Sequence, residues 1–565
     1  MTSNTASIFS LFTLITASVV RSQYVTPAFA NFSGSTGPVV DVGYAKIQGT
    51  TVSDPGNNDL NAFLGVRYAA DTSGQSRFMP PTPIESLGIQ NMTINATTFG
   101  PICCQGYANA ENETATDAEF GYIEGNRAQS EDCLLLDIYV PKQPKSAALP
   151  VLLTIRGGGY DLLSSDVTEI GILGAAPGQF MQVNSQYRLA GQGFLGSAEV
   201  AAQGTLNTGL LDQRLAIEWV QRHISAFGGD PSKVTIEGGS AGGGSITNQL
   251  IWNGGEDTPP YRAAMAEYPW WQEYLTAAQQ EVQYREVLAA ANCTDVACLR
   301  GLTSEEYDNA QNQGFATPPN YPFGEFYFGP VVDGQYIRDL PSREFEAGHF
   351  AKVPLIVTRD GNEGELFTPQ NITTDQDFQA RIRQFLHGGE NFYDRVNDYY
   401  PDVTTGPYAY NSTQQKAEFV FGDWVIQCPS YYMASSSTDW WPQSSNESAP
   451  AYKFIWAYPT YATAYHDTYG PYVYTVYPAS NTTAVYPELS GTLQSYFVDF
   501  ILDADPNSGS VSAGVADQVE WPRYGVGSQI LYINGTTQAD FTVMKDIDAN
   551  GACDSFFSRP SQEQN

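Results

Sequence analysis

A serine between glycines is the residue best placed to do chemistry in this chain. Gly238-Gly239-Ser240-Ala241-Gly242 follows an apolar stretch at 233–237 and precedes a stretch of helical character from Gly243 onward. In a Gly-x-Ser-x-Gly turn between a strand and a helix, the serine is exposed at the end of the sheet, in strained backbone that flanking glycines accommodate. The motif predicts a nucleophile elbow at Ser240. Because the chain has 52 glycines, an ordinary glycine-rich turn is the alternative.

A second glycine-rich turn follows another apolar run. Leu149–Ile155 reads LPVLLTI and leads directly into Arg156-Gly157-Gly158-Gly159-Tyr160. Consecutive glycines let backbone N–H groups approach a substrate closely, and acyl transfer needs such donors about 3 Å from the oxygen that becomes negative. We interpret this turn as an oxyanion hole that serves the downstream nucleophile, with a flexible glycine loop as the alternative.

The stretches around these turns predict the elements that position them. Residues 149–155 and 233–237 have the short apolar pattern of buried parallel strands, and a helix is predicted between them, ending at Phe227-Gly228-Gly229-Asp230-Pro231. The apolar residues at near-helical spacing are Leu211, Leu215, Ile217, Trp219, Val220 and Ile224. Later strands are predicted at 353–357, 452–457 and 530–533. This alternation predicts an α/β fold with one large, mostly parallel central sheet flanked by helices.

Composition excludes several classes of protein. The chain of 565 residues is 42% hydrophobic and 13% aromatic, which is too apolar for an intrinsically disordered protein. It has 27 lysines and arginines against 61 aspartates and glutamates, a formal net charge of −34. A surface this negative repels phosphate backbones, so we expect no nucleic-acid partner.

The N-terminus and the glycosylation sequons indicate secretion. Residues 8–20 (IFSLFTLITASVV) form an apolar run typical of a signal peptide and too short to span a bilayer, so residues 1–22 are predicted to be cleaved. A retained apolar N-terminus is the alternative. No later run reaches the roughly 18 apolar residues of a membrane span, so we expect a secreted, soluble protein without stable membrane insertion. Asn-x-Ser/Thr sequons occur at Asn31, Asn91, Asn95, Asn112, Asn292, Asn371, Asn411, Asn446, Asn481 and Asn534.

Seven cysteines fit an extracellular compartment, where disulfides persist. They contain no Cys-x-x-Cys pair, and the chain has four histidines, so no metal site is predicted. Because seven is odd, one cysteine must stay free or bond outside the chain.

A series of motifs in fixed order resembles the type-B carboxylesterase/lipase family, which includes cholinesterases and secreted fungal lipases. The resemblance covers roughly residues 37 to 555. It implies an α/β-hydrolase fold, with 23–565 as a single domain after the signal peptide. The motifs are Phe63-Leu64-Gly65-Val66-Arg67-Tyr68-Ala69, Arg77-Phe78-Met79-Pro80-Pro81, Glu131-Asp132-Cys133-Leu134, Asp212-Gln213-Arg214-Leu215-Ala216, Ser240-Ala241-Gly242-Gly243, Asp505-Pro506-Asn507 and Trp521-Pro522.

The family's triad runs serine, glutamate in an Asp-Glu-Gly block, then histidine. Asn362-Glu363-Gly364-Glu365 stands at the glutamate block, with Asn362 in place of the aspartate, so Glu363 is predicted as the acid. Asp360 and, less favoured, Glu365 are the rivals.

Elimination among four histidines favours His466 as the base. His223 precedes the serine, His349 precedes the acid, and His387 follows Glu363 too closely for a return from the next strand end. Tyr465-His466-Asp467 stands where the family has a Phe-His-Gly block, with Asp467 replacing the glycine; a surface histidine is the alternative. Gly239, where many relatives carry glutamate, and Arg156, which replaces a histidine or tyrosine, are two further departures.

The resemblance implies hydrolysis of a small-molecule ester through an acyl-enzyme, without metal or organic cofactor. Gly158, Gly159 and Ala241 would donate the oxyanion-hole N–H bonds. In lipases of the family the segment at 105–132 forms a lid; here its carboxylates outnumber its one arginine, Arg127, and its large apolar residues are few. This favours an esterase of soluble or short-acyl substrates over the alternatives, a triacylglycerol lipase or a non-catalytic cholinesterase-like adhesion protein.

Disulfide pairing is also implied by the resemblance. The cysteine of the Glu131-Asp132-Cys133 block pairs in the family with one in an upstream block, here Gly100-Pro101-Ile102-Cys103-Cys104-Gln105, which gives Cys103–Cys133. Cys293–Cys298 is the second pair. A third, Cys428–Cys553, would leave Cys104 unpaired.

Overall fold

A computed structural model describes most of the chain from residue 36 onward. Several sequence predictions lie outside the described residues: the signal peptide at 1–22, His387, most of the 105–132 segment, and the sequons at Asn31, Asn91, Asn112, Asn446 and Asn481. The described residues are 36–53, 58–89, 92–106, 127–163, 168–315, 326–386, 390–402, 410–441, 450–474, 486–512, 515, 518–525, 527–535 and 540–557.

A large β-sheet organises the molecule. The strands are β1 (Thr36–Asp41), β2 (Lys46–Ser53), β3 (Asp59–Arg67), β4 (Thr93–Asn95), β5 (Ile102–Cys103), β6 (Gln129–Ser130), β7 (Leu135–Pro141), β8 (Leu149–Ile155), β9 (Met181–Ser185), β10 (Gly229–Gly239), β11 (Ala263–Glu267), β12 (Leu355–Asp360), β13 (Ala451–Trp456), β14 (Gln529–Ile533) and β15 (Phe541–Lys545). In the described part of the chain the sheet order is β1-β2-β3-β7-β9-β8-β10-β11-β12-β13-β14-β15, with β4 paired to β2. β5 and β6 form a separate small sheet.

The middle of the large sheet is parallel. From β9 through β8, β10, β11, β12 and β13 to β14, each strand pairs parallel with its neighbour. Towards the two edges, the strands in the sheet order from β1 to β9 and from β14 to β15 pair antiparallel, while β4 pairs parallel with β2. Every residue of β8, β9, β11, β12 and β13 is buried. Strands covered on both faces have this pattern, so the predicted α/β fold with a large, mostly parallel sheet is confirmed.

Helices flank the sheet. They are α1 (Ala190–Phe194), α2 (Ala198–Gln203), α3 (Thr208–His223), α4 (Ala241–Leu250), α5 (Ala277–Ala290), α6 (Val296–Gly301), α7 (Ser304–Phe315), α8 (Pro341–Glu346), α9 (Asp375–Phe385), α10 (Glu390–Tyr399), α11 (Thr413–Gly422), α12 (Cys428–Asp439), α13 (Gly470–Tyr474), α14 (Pro487–Asp503) and α15 (Gly551–Phe557). α3 is the predicted helix between the first two predicted strands. No helix among the described residues is long and apolar enough to cross a membrane.

Several strand boundaries differ from the predictions by a few residues, and two of the differences have identifiable reasons. β10 begins at Gly229, inside the segment predicted to end the helix, because Gly228 at φ 91° reverses the chain sharply after the 3-10 turn Ile224–Phe227. β12 extends to Asp360 rather than residue 357, because its pairing with β13 continues to Asp360 opposite Trp456.

The predicted site residues all follow carboxyl ends of parallel strands. The triple-glycine turn follows β8, Ser240 follows β10, Glu363 follows β12 and His466 follows β13. Because these strands run in one direction, their carboxyl ends meet at one edge of the sheet, which is where ligands bind in open α/β sheets.

Three disulfides cross-link the described chain. They are Cys103–Cys133, Cys293–Cys298 and Cys428–Cys553. Cys104 is outside these disulfides and buried. Burial raises the pKa of its thiol far above the ordinary value, and Asp308 adds to that shift.

Candidate active site

Ser240 lies in a sharp turn between β10 and α4. Its backbone is at φ 59° and ψ −126°, a strained conformation for a residue with a side chain. A Cβ at Gly238 would lie 2.6 Å from the Ile155 carbonyl oxygen, and one at Gly242 would lie 2.2 Å from the same atom. Both flanking glycines are therefore needed because the turn packs directly against the end of β8. This is the geometry of a nucleophile elbow.

The triple-glycine turn lies against the serine turn. A Cβ at Gly157 would lie 3.1 Å from the Ser240 Cβ. Gly158 and Gly159 have φ of 106° and 62°, values that favour glycine. Ala241, the first residue of α4, directly follows Ser240 and is buried. Gly157 thus brings the triple-glycine turn against Ser240, so backbone from this turn and from the start of α4 lies beside the serine, an arrangement that can stabilise a negative oxygen.

His466 and Glu363 are directly hydrogen-bonded. The distance from His466 Nδ1 to Glu363 Oε2 is 2.6 Å, and Glu363 is fully buried. The other carboxylate oxygen, Oε1, accepts the backbone N–H of Asp360 at 2.6 Å. The loops that carry the two residues are joined, because the Asn362 N–H donates to the Ala464 carbonyl at 2.8 Å. With its proton on Nδ1, the imidazole leaves Nε2 able to accept a proton.

Asp360, the rival acid, makes different contacts. Its Oδ2 accepts the backbone N–H of Asp467 at 3.0 Å, and its Oδ1 accepts the Thr468 hydroxyl at 2.6 Å. Burial, together with the charge of nearby Glu363, raises the pKa of Asp360 well above its ordinary value. Asp360 thus anchors the loop after His466, while Glu363 contacts the imidazole itself. Glu365 lies half-buried two residues beyond Glu363.

The other described histidines contact different carboxylates. His223 Nε2 lies 2.5 Å from Glu85 Oε1, near the start of β10 and so at the opposite end of that strand from Ser240. His349 is exposed and lies 3.6 Å from Glu344. Neither is brought to Ser240.

Aromatic rings that sequence reasoning missed surround His466. The imidazole lies 4.8 Å from the Tyr268 ring, 5.1 Å from Phe367 and 6.3 Å from Trp270, measured between ring centroids. Trp270 also contacts the serine turn, because its backbone N–H donates to the Ser240 carbonyl at 3.0 Å. The Trp270 ring in turn lies 5.5 Å from Phe326. The sequence Tyr268-Pro269-Trp270-Trp271, directly after β11 and at the same sheet edge as Ser240, could have indicated these aromatic contacts.

Together, the sheet topology and the sharp turn that carries Ser240 place the protein among the α/β hydrolases. The chain belongs to the carboxylesterase family, whose family model matches residues 36–554. Membership confirms the resemblance seen in the sequence and supports carboxylic ester hydrolase activity on small-molecule esters.

Named relatives and a solved structure agree with this assignment. The chain is 30% identical to Carboxylesterase patB of Aspergillus clavatus, over 83% of this chain and 88% of that protein. It is also 30% identical to Lipase 4 of Diutina rugosa, over 88% of this chain and 93% of that protein. The crystal structure of Aspergillus niger EstA superimposes with a TM-score of 0.77 and 26% identity, covering 94% of this chain and 99% of that one.

Proposed function

We propose that the protein is a serine esterase in which Ser240, His466 and Glu363 form the catalytic triad. The observation that carries the proposal is the 2.6 Å contact of His466 Nδ1 with buried Glu363, on loops at the same sheet edge as the Ser240 turn. Trp270 gives further support, because its backbone N–H donates to the Ser240 carbonyl at 3.0 Å while its ring lies 6.3 Å from the His466 ring.

Acyl transfer follows from these positions. Neutral His466 takes the Ser240 proton on Nε2 as the serine oxygen attacks the ester carbonyl carbon, and Glu363 stabilises the imidazolium that forms. The N–H groups of Gly158, Gly159 and Ala241 hold the negative oxygen of the tetrahedral intermediate. The intermediate collapses to an acyl-enzyme and expels the alcohol, which takes the proton from His466.

Water completes the cycle by the same route. His466 removes a proton from water as the water oxygen attacks the acyl-enzyme carbonyl. The second intermediate then releases the carboxylic acid, and the proton returns from His466 to the Ser240 oxygen. The protons move among the serine, the imidazole, the departing alcohol and water, so on the protein's side this mechanism uses side-chain and backbone groups alone.

The proposed substrates are soluble or short-acyl esters. The support is the composition of the segment at 105–132, whose many carboxylates would be costly to bury at a lipid surface. At its carboxyl end, Glu131 pairs with buried Arg77 at 2.6 Å, and Asp132 pairs with Arg67. Triacylglycerol hydrolysis is the second candidate, favoured by the equal identity to a protein named as a lipase.

Labelling with an organophosphate ester, combined with activity measurements, tests the proposal. An organophosphate ester should label one serine, Ser240, and inactivate the enzyme, while Ser240→Ala should be neither labelled nor active. Ser225→Ala is the matched control, because Ser225 is exposed in the 3-10 turn Ile224–Phe227 and should leave both properties unchanged. Labelling of a serine other than Ser240 would overturn its assignment as the nucleophile, whereas a wild type that is neither labelled nor active on esters would support the non-catalytic alternative.

We also propose that residues 1–22 are removed as a signal peptide and that 23–565 is secreted as a single glycosylated domain. The sequons that fall on described residues, Asn95, Asn292, Asn371, Asn411 and Asn534, are all exposed. Disulfides of the kind present here persist in oxidising compartments. Expression in a secreting eukaryotic host should give protein in the medium with a new N-terminus near residue 23 and a mass that falls on deglycosylation.

A further inference from the structure

Tyr268 lies between the turn that carries the serine and the loop that carries the histidine. It directly follows β11, whose last residue, Glu267, accepts the Ser240 N–H at 3.0 Å through its carbonyl oxygen. The Tyr268 ring is buried and meets the His466 ring edge-on, at 4.8 Å between centroids and 70° between planes. One side chain therefore borders both regions of the site.

The hydroxyl of Tyr268 has a specific partner on the histidine loop. It donates a hydrogen bond to Asp467 Oδ1 at 2.7 Å. Asp467 has φ 63°, in the left-handed region that favours glycine, and in the sequence it stands at a position where the resembled family has glycine. Its backbone N–H is held as well, by Asp360 Oδ2 at 3.0 Å. Two hydrogen bonds thus fix the residue that directly follows His466.

The residue before the serine belongs to the same arrangement. A Cβ at Gly239 would lie 2.4 Å from the Tyr268 hydroxyl oxygen and 2.6 Å from its ring. The Tyr268 ring therefore fills the space that a side chain at residue 239 would need. Two departures from the family pattern, Gly239 and Asp467, meet at one tyrosine.

We propose that Tyr268 and Asp467 are positioning residues that hold His466 toward Ser240. The Glu363 contact fixes only the Nδ1 side of the imidazole. The Tyr268 ring packs beside the imidazole, and the Tyr268–Asp467 hydrogen bond fixes the residue that follows His466. Together these contacts limit the rotation of the imidazole that would move Nε2 away from the serine. This inference rests on the proposed function, because it assigns roles relative to the proposed base.

Single substitutions separate this role from a general structural one. Tyr268→Phe keeps the ring and removes the hydroxyl. Asp467→Gly removes the acceptor and also relieves the left-handed backbone, so the melting temperature should not fall. Asp467→Asn keeps an oxygen acceptor for the hydroxyl. Tyr284→Phe is the matched control, because the Tyr284 hydroxyl donates to the Glu199 carboxylate at 2.6 Å, outside the site elements described above.

Steady-state kinetics on a soluble p-nitrophenyl ester provide the test. Since a misplacement of about 1 Å costs on the order of 100-fold in rate, Tyr268→Phe and Asp467→Gly should each lower kcat by roughly 10- to 100-fold, with KM changed less than about twofold. Asp467→Asn should recover most of the kcat, and Tyr284→Phe should retain it. The double variant Tyr268→Phe/Asp467→Gly should be no slower than the slower single variant, because both changes remove the same Tyr268–Asp467 hydrogen bond.

Two results would overturn the inference. One is full kcat in Tyr268→Phe or Asp467→Gly, and the other is a double variant whose loss is the product of the single losses. Failure of the proposed function is distinguishable, since a wild-type protein that hydrolyses no ester would overturn both, whereas an active wild type with fully active variants overturns this inference alone.

Discussion

At the scale of single residues, Glu363 and Asp360 show how one short segment supplies two carboxylates with different tasks. They are three residues apart and both fully buried. Glu363 accepts from the imidazole, while Asp360 accepts from the backbone and hydroxyl just beyond His466. The difference in partner, rather than in burial, predicts the difference in role.

Substitution of the triad should separate these roles. Loss of the serine or histidine of a triad costs on the order of 10⁶ in kcat, and loss of the acid somewhat less. We therefore expect Ser240→Ala and His466→Ala to be almost inactive and Glu363→Gln to be severely impaired, with folding retained by circular dichroism. Asp360→Asn should lose less activity than Glu363→Gln. If Asp360→Asn were the more damaged variant, the acid would be reassigned.

The titration of Asp423 gives a residue-scale prediction on pH. Burial raises its pKa from 3.8 to about 7, while hydrogen bonds from Tyr400 and Gln427 partly oppose the shift. The folded state therefore holds a proton that the unfolded state loses above about pH 4, so this group lowers stability as pH rises from about 4 to 7.

Replacing Asp423 should remove this dependence. Asp423→Asn should gain stability relative to wild type as pH rises from 5 to 8, by roughly 2 to 3 kcal/mol. Urea unfolding at several pH values measures it. A stability difference that stayed constant over this range, or moved in favour of wild type, would contradict the assignment.

At the scale of secondary-structure elements, a buried ionic cluster joins β12 and β13 to the segment after β15. Lys453 Nζ donates to Asp546 at 2.8 Å and to Asp548 at 2.6 Å. Arg359 binds both oxygens of Asp548 at 2.6 and 2.7 Å. Two cations and two carboxylates are thus paired where water is excluded. The cluster fixes β12, the strand that leads to Asp360 and Glu363.

Breaking this cluster should be far more costly than breaking a surface pair. Lys453→Met would leave two buried carboxylates with one cation fewer, which destabilises by about 3 to 5 kcal/mol. Lys142→Met is the matched control, because Lys142 pairs with Asp59 at 3.4 Å with both side chains exposed and should change stability by about 1 kcal/mol or less. Equal effects of the two substitutions on chemical denaturation would contradict this account.

At the scale of the whole molecule, the proposed substrate preference has a distinct kinetic consequence. A segment rich in carboxylates should stay hydrated rather than insert into lipid, so no interfacial activation is expected. The rate on tributyrin should rise smoothly through its solubility limit, and p-nitrophenyl esters of short acyl chains should react faster than long-chain ones. A jump in rate above the solubility limit, or a preference for long-chain triglycerides, would instead favour the lipase alternative.

Much of the fold was predictable because its signals are local in the sequence. The strand Leu149–Ile155 was predicted with its observed bounds, since a short and mostly apolar run that ends just before a glycine-rich turn is typical of a strand buried on both faces. The serine turn was predictable for a similar reason. Its glycines are next to Ser240 in the chain, and their close approach to Ile155 follows from the parallel pairing of β8 and β10.

Tertiary structure alone decided which distant side chains meet. Sequence spacing could not separate Glu363 from Asp360, because the choice depends on how the loops after β12 and β13 pack together. Tyr268, Trp270 and Phe367 reach His466 only because the carboxyl ends of parallel strands converge at one edge of the sheet. Local pattern determines which segments are strands and turns, whereas side-chain contact is set by packing between elements far apart in the chain.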